Sequence, residues 1–285
     1  MPLEALTDAH VFPVVLGLFG LLFGSFLNVV IYRLPRMMEN DWRRECAELT
    51  GAPLPEEETF SLVRPRSRCP HCGHGITALE NIPVLSYLFL RGRCRACRAP
   101  ISLRYPLVEI AAALLAGGCA VHFGVGWQAV AAAALLWSLL ALALIDFDTQ
   151  LLPDQITLPL LWAGLLVNLG DGFAPLPEAV IGAAAGYLSL WLVYWGFKWI
   201  TGKEGMGYGD FKLLAALGAW MGWTMLPAII LISSLCGVAV GATLIVCARR
   251  GRNVPFAFGP CLVLAGVIAL FWGKTLNLYY LSILA

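Results

Sequence analysis

Two aspartates lie where apolar stretches of the chain end or begin, and they are the first residues that could do chemistry. Asp146 follows an apolar run, and Asp210 closes the motif Gly207-Tyr208-Gly209-Asp210. Two carboxylates that meet cannot both ionise easily, so the pair shares a proton and offers an acid and a base together. Such a pair can activate a water molecule against a peptide carbonyl. Gly207 and Gly209 would let a substrate strand approach the backbone beside Asp210.

The same carboxylates also have a simpler interpretation. Asp210 could only cap a helix, and for Asp148 and Asp154 we favour the interpretation as solvated loop charges. The spacing alone leaves both interpretations of Asp146 and Asp210 open. The glycine-rich motif does not have the pattern of a phosphate-binding loop, because it lacks G-K-[ST].

Four of the nine cysteines form a second candidate site. Cys69 and Cys72 make one C-x2-C pair, and Cys94 and Cys97 make another. Zinc prefers four tetrahedral ligands, and thiolates supply them in many structural sites. The spacing is close to that of zinc ribbons, so we predict that the four cysteines hold one structural zinc ion. Gly73 suits the turn because glycine readily adopts a positive φ.

Three other interpretations of this cysteine cluster are weaker. Two disulfides would need an oxidising compartment, and a redox C-x-x-C motif would not need a second pair. A nucleic-acid-binding ribbon would use the basic residues nearby, but arginines facing anionic lipid headgroups explain the same charge, so we expect no nucleic-acid partner. Two histidines are not needed as ligands because four thiolates complete the metal's shell (His71 and His74).

The elements that must position these residues are apolar helices. The chain has 285 residues, of which 59% are hydrophobic and 13% are charged, and its mean hydropathy is +0.77. A soluble domain is about 45–50% apolar and about 25% charged. This composition excludes a disordered protein, a basic nucleic-acid-binding domain and an ordinary cytosolic enzyme.

Eight segments approach the length of about 20 residues that a bilayer requires: 11–32, 106–123, 127–145, 156–169, 178–197, 211–223, 225–247 and 257–273.

Basic residues orient these segments. Twelve of the 19 Lys and Arg lie in 33–105, and the other seven are Lys198, Lys203, Lys212, Arg249, Arg250, Arg252 and Lys274. Eight spans with 33–105 in the cytoplasm leave only Lys274 outside, so the positive-inside rule favours eight spans and an external N-terminus. A six-span arrangement would put Asp146 and Asp210 on opposite sides of the membrane. We therefore predict an all-α polytopic membrane protein with a cytoplasmic zinc-ribbon-like insert after the first helix.

Most of the insert's first part is predicted to be loosely ordered. Arg36 to Arg68 is charged, and it holds Pro53, Pro55 and the acidic run Glu56–Glu58. One short helix is predicted around Asp41–Leu49. The oligomeric state is not indicated by any feature of the sequence.

Taken together, the motifs resemble a known family. The G-x-G-D motif at Asp210 resembles that of intramembrane aspartyl proteases, and the I-D-x-D segment at Asp146, ending in L-P-D, adds a likeness to the bacterial type IV prepilin peptidases. These are also called leader peptidase–N-methyltransferases. Further motifs follow the same order over almost the whole chain: G-S-F-L-N-V-V (24–30), R-L-P (33–35), E-N-I-P (80–83) and S-Y-L (86–88) between the cysteine pairs, and R-Y-P (104–106) with Glu109.

The resemblance implies two activities in the bacterial inner membrane. The first is cleavage of the leader from prepilins and from type II secretion pseudopilins, after a glycine on the cytoplasmic side, with Asp146 and Asp210 as the catalytic pair. The second is methylation of the new N-terminal amine with S-adenosylmethionine. The implied domains are a first transmembrane helix (1–32), a zinc-binding, methyltransferase-associated insert (33–105) and a transmembrane peptidase domain (106–285).

Contacts to S-adenosylmethionine cannot be derived from a familiar fingerprint, because the insert lacks G-x-G-x-x-G. The candidates are polar residues within the family motifs: Glu80, Asn81, Tyr87, Arg104 and Glu109, together with Gly92. Structural interpretations stay open for several of them. Residues 81–83 could form a rigid turn, Gly92 could form a turn before Cys94, and Glu109 could pair with Arg104. Asn28 in the first span is expected to hydrogen-bond between helices.

Two functions from other classes are also conceivable. A proton-coupled transporter would use the two aspartates as proton carriers, but it would not require the G-x-G-D motif or the insert. A scaffold protein would bind a partner through the zinc ribbon, but it would not need two carboxylates at one membrane face.

Overall fold

The computed structural model describes residues 8–53, 60–246 and 257–284. Within these ranges the chain is helical, and its β-pairing is confined to two isolated bridges, Arg68–Gly75 and Arg93–Pro100. The predicted all-α fold is therefore confirmed. The helices are α1 (Val11–Thr50), α2 (Leu85–Phe89), α3 (Arg104–Phe123), α4 (Trp127–Thr149), α5 (Asp154–Leu169), α6 (Leu176–Thr201), α7 (Tyr208–Met221), α8 (Leu226–Val246) and α9 (Gly259–Leu284), with short 3₁₀ turns at Leu79–Asn81 and Trp223–Met225.

Each of the eight predicted apolar segments contains a helix within the described part of the chain. Among the described residues, five stretches can cross a membrane by their length and composition: α1, α3, α4, α6 and Trp223–Leu244, which contains most of α8. The chain is thus a polytopic membrane protein. Helices α5 and α7 have 16 and 14 residues, or about 24 and 21 Å, against a bilayer core of about 30 Å. The count of eight spans stays a prediction. The loop with Arg249, Arg250 and Arg252, which was used to orient the chain, lies outside the described residues, and so does the acidic run Glu56–Glu58 of the predicted loose segment.

Helix α1 is longer than the sequence suggested. It runs for 40 residues through Pro35 to Thr50, so the prediction of a loose segment beginning at Arg36 was wrong as far as Thr50. The short helix predicted around Asp41–Leu49 is the end of α1. This stretch is rich in helix-forming Glu, Arg, Met and Ala, and Arg43 pairs with Glu39 one turn away at 2.6 Å. Gly51 ends the helix at φ 65°, in the left-handed conformation typical of a C-cap.

The chain forms two compact units, Met1–Trp137 and Ser138–Ala285, and the boundary falls inside α4. In the first unit, α1 packs against α3 through small residues. A Cβ atom on Gly20 or Gly24 would lie 2.6 Å from the α3 backbone, so glycine is needed for this close approach. Asn28 donates to the Tyr105 carbonyl at 3.1 Å, which confirms the predicted hydrogen bond between helices.

In the second unit, α7 forms the core. Every residue from Asp210 to Met221 is buried except Lys212, as expected of a helix that is apolar on all sides. Gly182 of α6 and Gly218 of α7 are in close backbone contact. At the other side of α7, the Trp220 indole donates to the Leu160 carbonyl at 2.8 Å, and the Asn168 amide donates to the Ala219 carbonyl at 2.8 Å. These contacts fix α7 in the unit and thereby fix Asp210.

Candidate active site and metal centre

Asp146 and Asp210 meet in the second unit. Asp146 lies near the end of α4 with 5% of its surface exposed, and Asp210 lies in the first turn of α7 with 7% exposed. The charge of Asp146 acts on the Asp210 carboxyl group. The end of α4 and the start of α7 therefore place the two carboxylates close enough to interact electrostatically.

The glycines of the G-x-G-D motif have separate structural roles. Gly207 is the N-cap of α7, and its carbonyl accepts the N–H of Asp210 at 3.3 Å. A Cβ on Gly209 would lie 2.7 Å from that of Leu152, so the space beside Gly209 is filled by the L-P-D segment. The prediction that both glycines expose backbone to a substrate is thus wrong for Gly209, whereas the space beside Gly207 is open.

Asp146 has a backbone partner that sequence reasoning missed. The N–H of Gly259, the first residue of α9, donates to Oδ2 of Asp146 at 2.8 Å in a buried position. The two residues are far apart in sequence. The available signal was the Gly-Pro pair at the start of the last apolar segment, since proline is common in the first turn of a helix.

The neighbouring carboxylates have a solvated environment. Both oxygens of Asp154 contact Nζ of Lys212 at 2.7 Å in an exposed ion pair. Asp148 is exposed at the end of α4. The interpretation of Asp148 and Asp154 as surface charges, which was favoured from sequence, agrees with these positions.

The four cysteine sulfurs converge in the first unit. All four Sγ atoms lie within 4.8 Å of one another, with separations of 3.8 Å between Cys69 and Cys97 and 4.0 Å between Cys72 and Cys94. A tetrahedron with Zn–S bonds of 2.3 Å has edges of about 3.8 Å, whereas a disulfide bond is about 2.05 Å long. The four are free thiols, which excludes the two-disulfide interpretation. The donor set fits one zinc ion.

The two C-x2-C pairs adopt the same backbone turn. The N–H of Cys69 donates to the carbonyl of His74, and the N–H of Cys94 donates to that of Ala99, both at 2.9 Å. Gly73 has the predicted positive φ, 71°, and Arg98 has φ 58° at the equivalent position. In each turn, backbone N–H groups of the second cysteine and of the residue before it hydrogen-bond to the first sulfur. These bonds lower the pKa of Cys69 to about 7 and also lower the pKa of Cys94, which favours the thiolate form of the first cysteine in each pair.

Glu80 joins this cysteine cluster to the next turn. Its carboxylate accepts hydrogen bonds from the N–H and the hydroxyl group of Thr77, both at 2.9 Å, and lies 3.4 Å from Nε2 of His74. The Thr77 hydrogen bonds hold the pKa of Glu80 below its ordinary value. Glu80 thus has a structural function in capping the turn at Leu79–Asn81, and Asn81 itself is exposed.

Tyr87 and Gly92 pack against each other. Gly92 has φ 66°, and a Cβ there would lie 2.7 Å from the Tyr87 hydroxyl oxygen. The hydroxyl lies 3.4 Å from the Ile101 carbonyl, to which it donates. The interpretation of Gly92 as a turn residue is confirmed.

Glu109 supports an unusual turn. It lies in α3 with 8% of its surface exposed, and its Oε2 accepts the Val84 N–H at 2.7 Å. Val84 has φ 59°, and Leu85 N–H donates to the Pro83 carbonyl at 2.5 Å. This is a classic γ-turn, which is strained and uncommon for a β-branched residue.

Arg104 is half-buried at the start of α3.

These features define a class of protein: a polytopic membrane protein with a paired-carboxylate site and a four-cysteine centre. Two family models match the chain, the bacterial peptidase A24 N-terminal domain over residues 18–123 and the type IV leader peptidase family over residues 133–242. The chain belongs to the type IV leader peptidase family, as its motifs predicted.

Three similar proteins are each named prepilin leader peptidase/N-methyltransferase. The protein of Aeromonas hydrophila is 57% identical over 270 residues, covering 93% of this chain and 92% of the relative. That of Pseudomonas aeruginosa is 54% identical over 285 residues, covering 99% and 98%. That of Pseudomonas putida is 58% identical over 254 residues, covering 89% and 88%. No solved structure shows a significant match.

Proposed function

We propose that this chain is a bifunctional enzyme of the bacterial inner membrane. It cleaves the leader peptide from type IV prepilins and type II secretion pseudopilins, and it then methylates the new N-terminal residue with S-adenosylmethionine. The observation that carries the peptidase proposal is the meeting of Asp146 and Asp210 at the ends of two buried helices. The names of relatives that match nearly the whole chain support both activities.

The proposed cleavage uses the two carboxylates as an acid and a base. The ionised carboxylate takes a proton from water, and the water oxygen attacks the carbonyl carbon of the leader's glycine, which lies on the peptide bond to be cut. The protonated carboxyl group donates its proton to the carbonyl oxygen, and a proton then passes to the leaving amine as the C–N bond breaks. Because both aspartates are buried, their environment strengthens the electrostatic interactions that stabilise this transition state.

The proposed site faces the cytoplasm. The N-terminus is then periplasmic, and residues 33–105 lie on the cytoplasmic side with most of the chain's basic residues. A basic leader would be retained on that side by the same rule. The proposed division is a first transmembrane helix (1–32), a zinc-binding insert (33–105) and a peptidase domain (106–285).

The four cysteines are proposed to hold a structural zinc ion. Four thiolates complete a tetrahedral shell and leave no position for water or substrate, so the metal would not act in catalysis. The ion would tie the two turns at Cys69–Cys72 and Cys94–Cys97 together. It would thereby hold in place the segment between them, which contains Glu80, Asn81 and Tyr87.

Methyl transfer is proposed to use the polar residues of the family motifs in the first unit. S-adenosylmethionine would supply an electrophilic methyl group, and the substrate amine must lose a proton to react with it. Two carboxylates are available, and the hydrogen bonds from Thr77 and Val84 fix the positions of Glu80 and Glu109. Asn81, Tyr87 and Arg104 complete the candidate set.

One assay tests both activities. Purified protein is incubated with a prepilin, with and without S-adenosylmethionine, and the products are analysed by mass spectrometry. We expect a cut immediately after the leader glycine under both conditions, and one added methyl group on the mature N-terminus only with S-adenosylmethionine. An intact prepilin would overturn the peptidase proposal, and an unmethylated product would overturn the transferase proposal.

A further inference from the structure

The last helix provides the hydrogen bond that fixes one of the two proposed catalytic carboxylates. Gly259 N–H donates to Oδ2 of Asp146 at 2.8 Å, and the contact is buried. The next two residues do not donate a backbone hydrogen bond to Asp146. Pro260 has no N–H, and the N–H of Cys261 donates to the carbonyl of Phe258 at 2.9 Å. Gly259 is therefore the residue in this turn whose amide reaches Asp146.

Gly259 is required for space and not for backbone conformation. It is absent from the residues with positive φ, so another residue could adopt its backbone angles. A Cβ atom at this position would lie 2.6 Å from Oδ2 of Asp146 and 3.1 Å from its Cγ. Any side chain at position 259 would therefore displace the carboxylate.

The two carboxylates are held in different ways. Asp210 lies in the first turn of α7, where its N–H donates to the Gly207 carbonyl of its own motif at 3.3 Å, so its position depends on the local sequence. Asp146 depends on a helix that begins more than a hundred residues later in the chain. The relative placement of the pair thus depends on where α9 begins.

We propose that Gly259 is a positioning residue for cleavage: its N–H fixes the side-chain conformation of Asp146, and its lack of a side chain lets the carboxylate approach. This inference rests on the proposed peptidase function.

The test compares two glycine-to-alanine variants in the same helix. Gly259→Ala should lower kcat for prepilin cleavage about 100-fold, since a displacement of about 1 Å can have such an effect. KM should stay within about twofold, because substrate binding is not altered. Gly266→Ala is the matched control: its Cβ would lie 2.8 Å from Cδ2 of Leu217, a flexible apolar group away from Asp146. Its kcat should stay within about threefold of wild type.

A second variant separates the hydrogen bond from the steric effect. Cell-free synthesis with glycolic acid at position 259 replaces the amide N–H by an ester oxygen and adds no side chain. We expect kcat to fall at least about tenfold, since about 1.4 kcal/mol of lost transition-state stabilisation has this effect. This variant also keeps the test informative if Gly259→Ala does not fold.

The outcomes distinguish this inference from the proposed function. If wild-type protein does not cleave prepilin, the proposed peptidase function fails. If wild-type protein cleaves and both variants at position 259 retain wild-type kcat, the positioning role is overturned. Equal losses of kcat in Gly259→Ala and Gly266→Ala, with a wild-type ester variant, would also overturn it, because they would indicate a general packing effect.

Discussion

The sulfur atoms of Cys69 and Cys97 lie 3.8 Å apart, although the two residues belong to different C-x2-C pairs. This distance matches the edge of a zinc–thiolate tetrahedron, about 3.8 Å. The two turns therefore face each other with the separation that a shared ion requires.

We expect purified protein to contain about one zinc ion per chain. Cys69→Ser and Cys97→Ser should each lose it, because a three-thiolate site binds zinc more weakly. Metal content is measured by mass spectrometry after removal of loosely bound ions. The control is Cys46→Ser, since Cys46 is exposed and lies outside the cluster. Finding wild-type protein without zinc, or an equal loss in the Cys46 variant, would contradict this prediction.

Asp146→Asn and Asp210→Asn should each lower the rate of prepilin cleavage by at least about 100-fold, because each removes one partner of the acid–base pair. Methyl transfer to a pilin that has already been cleaved should persist in both variants. Asp154→Asn is the matched control: its ion pair with Lys212 is exposed and contributes at most about 1 kcal/mol to stability. Wild-type cleavage by either Asp146→Asn or Asp210→Asn would exclude that aspartate from the reaction.

Glu109→Leu should slow methyl transfer about tenfold or more and leave cleavage nearly unchanged. The substitution leaves the Val84 N–H without its acceptor, which costs about 1–3 kcal/mol. Glu109→Gln should retain more activity, since its amide oxygen can still accept this hydrogen bond. Rates are measured with a cleaved pilin and labelled S-adenosylmethionine. As a control, Glu39→Gln alters an exposed glutamate paired with Arg43 and should be neutral. Wild-type methyl transfer in Glu109→Leu would refute the role of this contact.

Gly182→Ala should destabilise the second unit by about 1–3 kcal/mol, because the added methyl group would overlap the backbone of α7 at Gly218. Gly196→Ala, in the same helix, places its methyl group in open space. It should be neutral or stabilising by up to about 1 kcal/mol. Thermal unfolding in detergent micelles compares the two variants. Equal midpoints would show that the close contact between α6 and α7 does not limit stability.

Local patterns were sufficient to predict the helices and the candidate centres. Apolar segments of nearly membrane-spanning length became helices, and cysteine spacing predicted a four-sulfur cluster that the structure contains. Charge distribution favoured an arrangement in which Asp146 and Asp210 meet. These features depend on residue type and short-range spacing, which a sequence displays directly.

Tertiary structure decided which backbone groups hold the functional side chains. The backbone N–H of Gly259 hydrogen-bonds to Asp146, and that of Val84 hydrogen-bonds to Glu109. Nearly every residue has a backbone N–H group, so the residue type does not reveal which of them will act as the donor. Helix α1 continues to Thr50, where helix-forming residues and the Arg43–Glu39 pair favour a helix, whereas the charge of this stretch suggested a loop. The sequence therefore determined the elements and the chemical groups of this protein. The packing of helices that are distant in the chain determined how those groups are oriented, because only folding brings their backbone donors within hydrogen-bond distance.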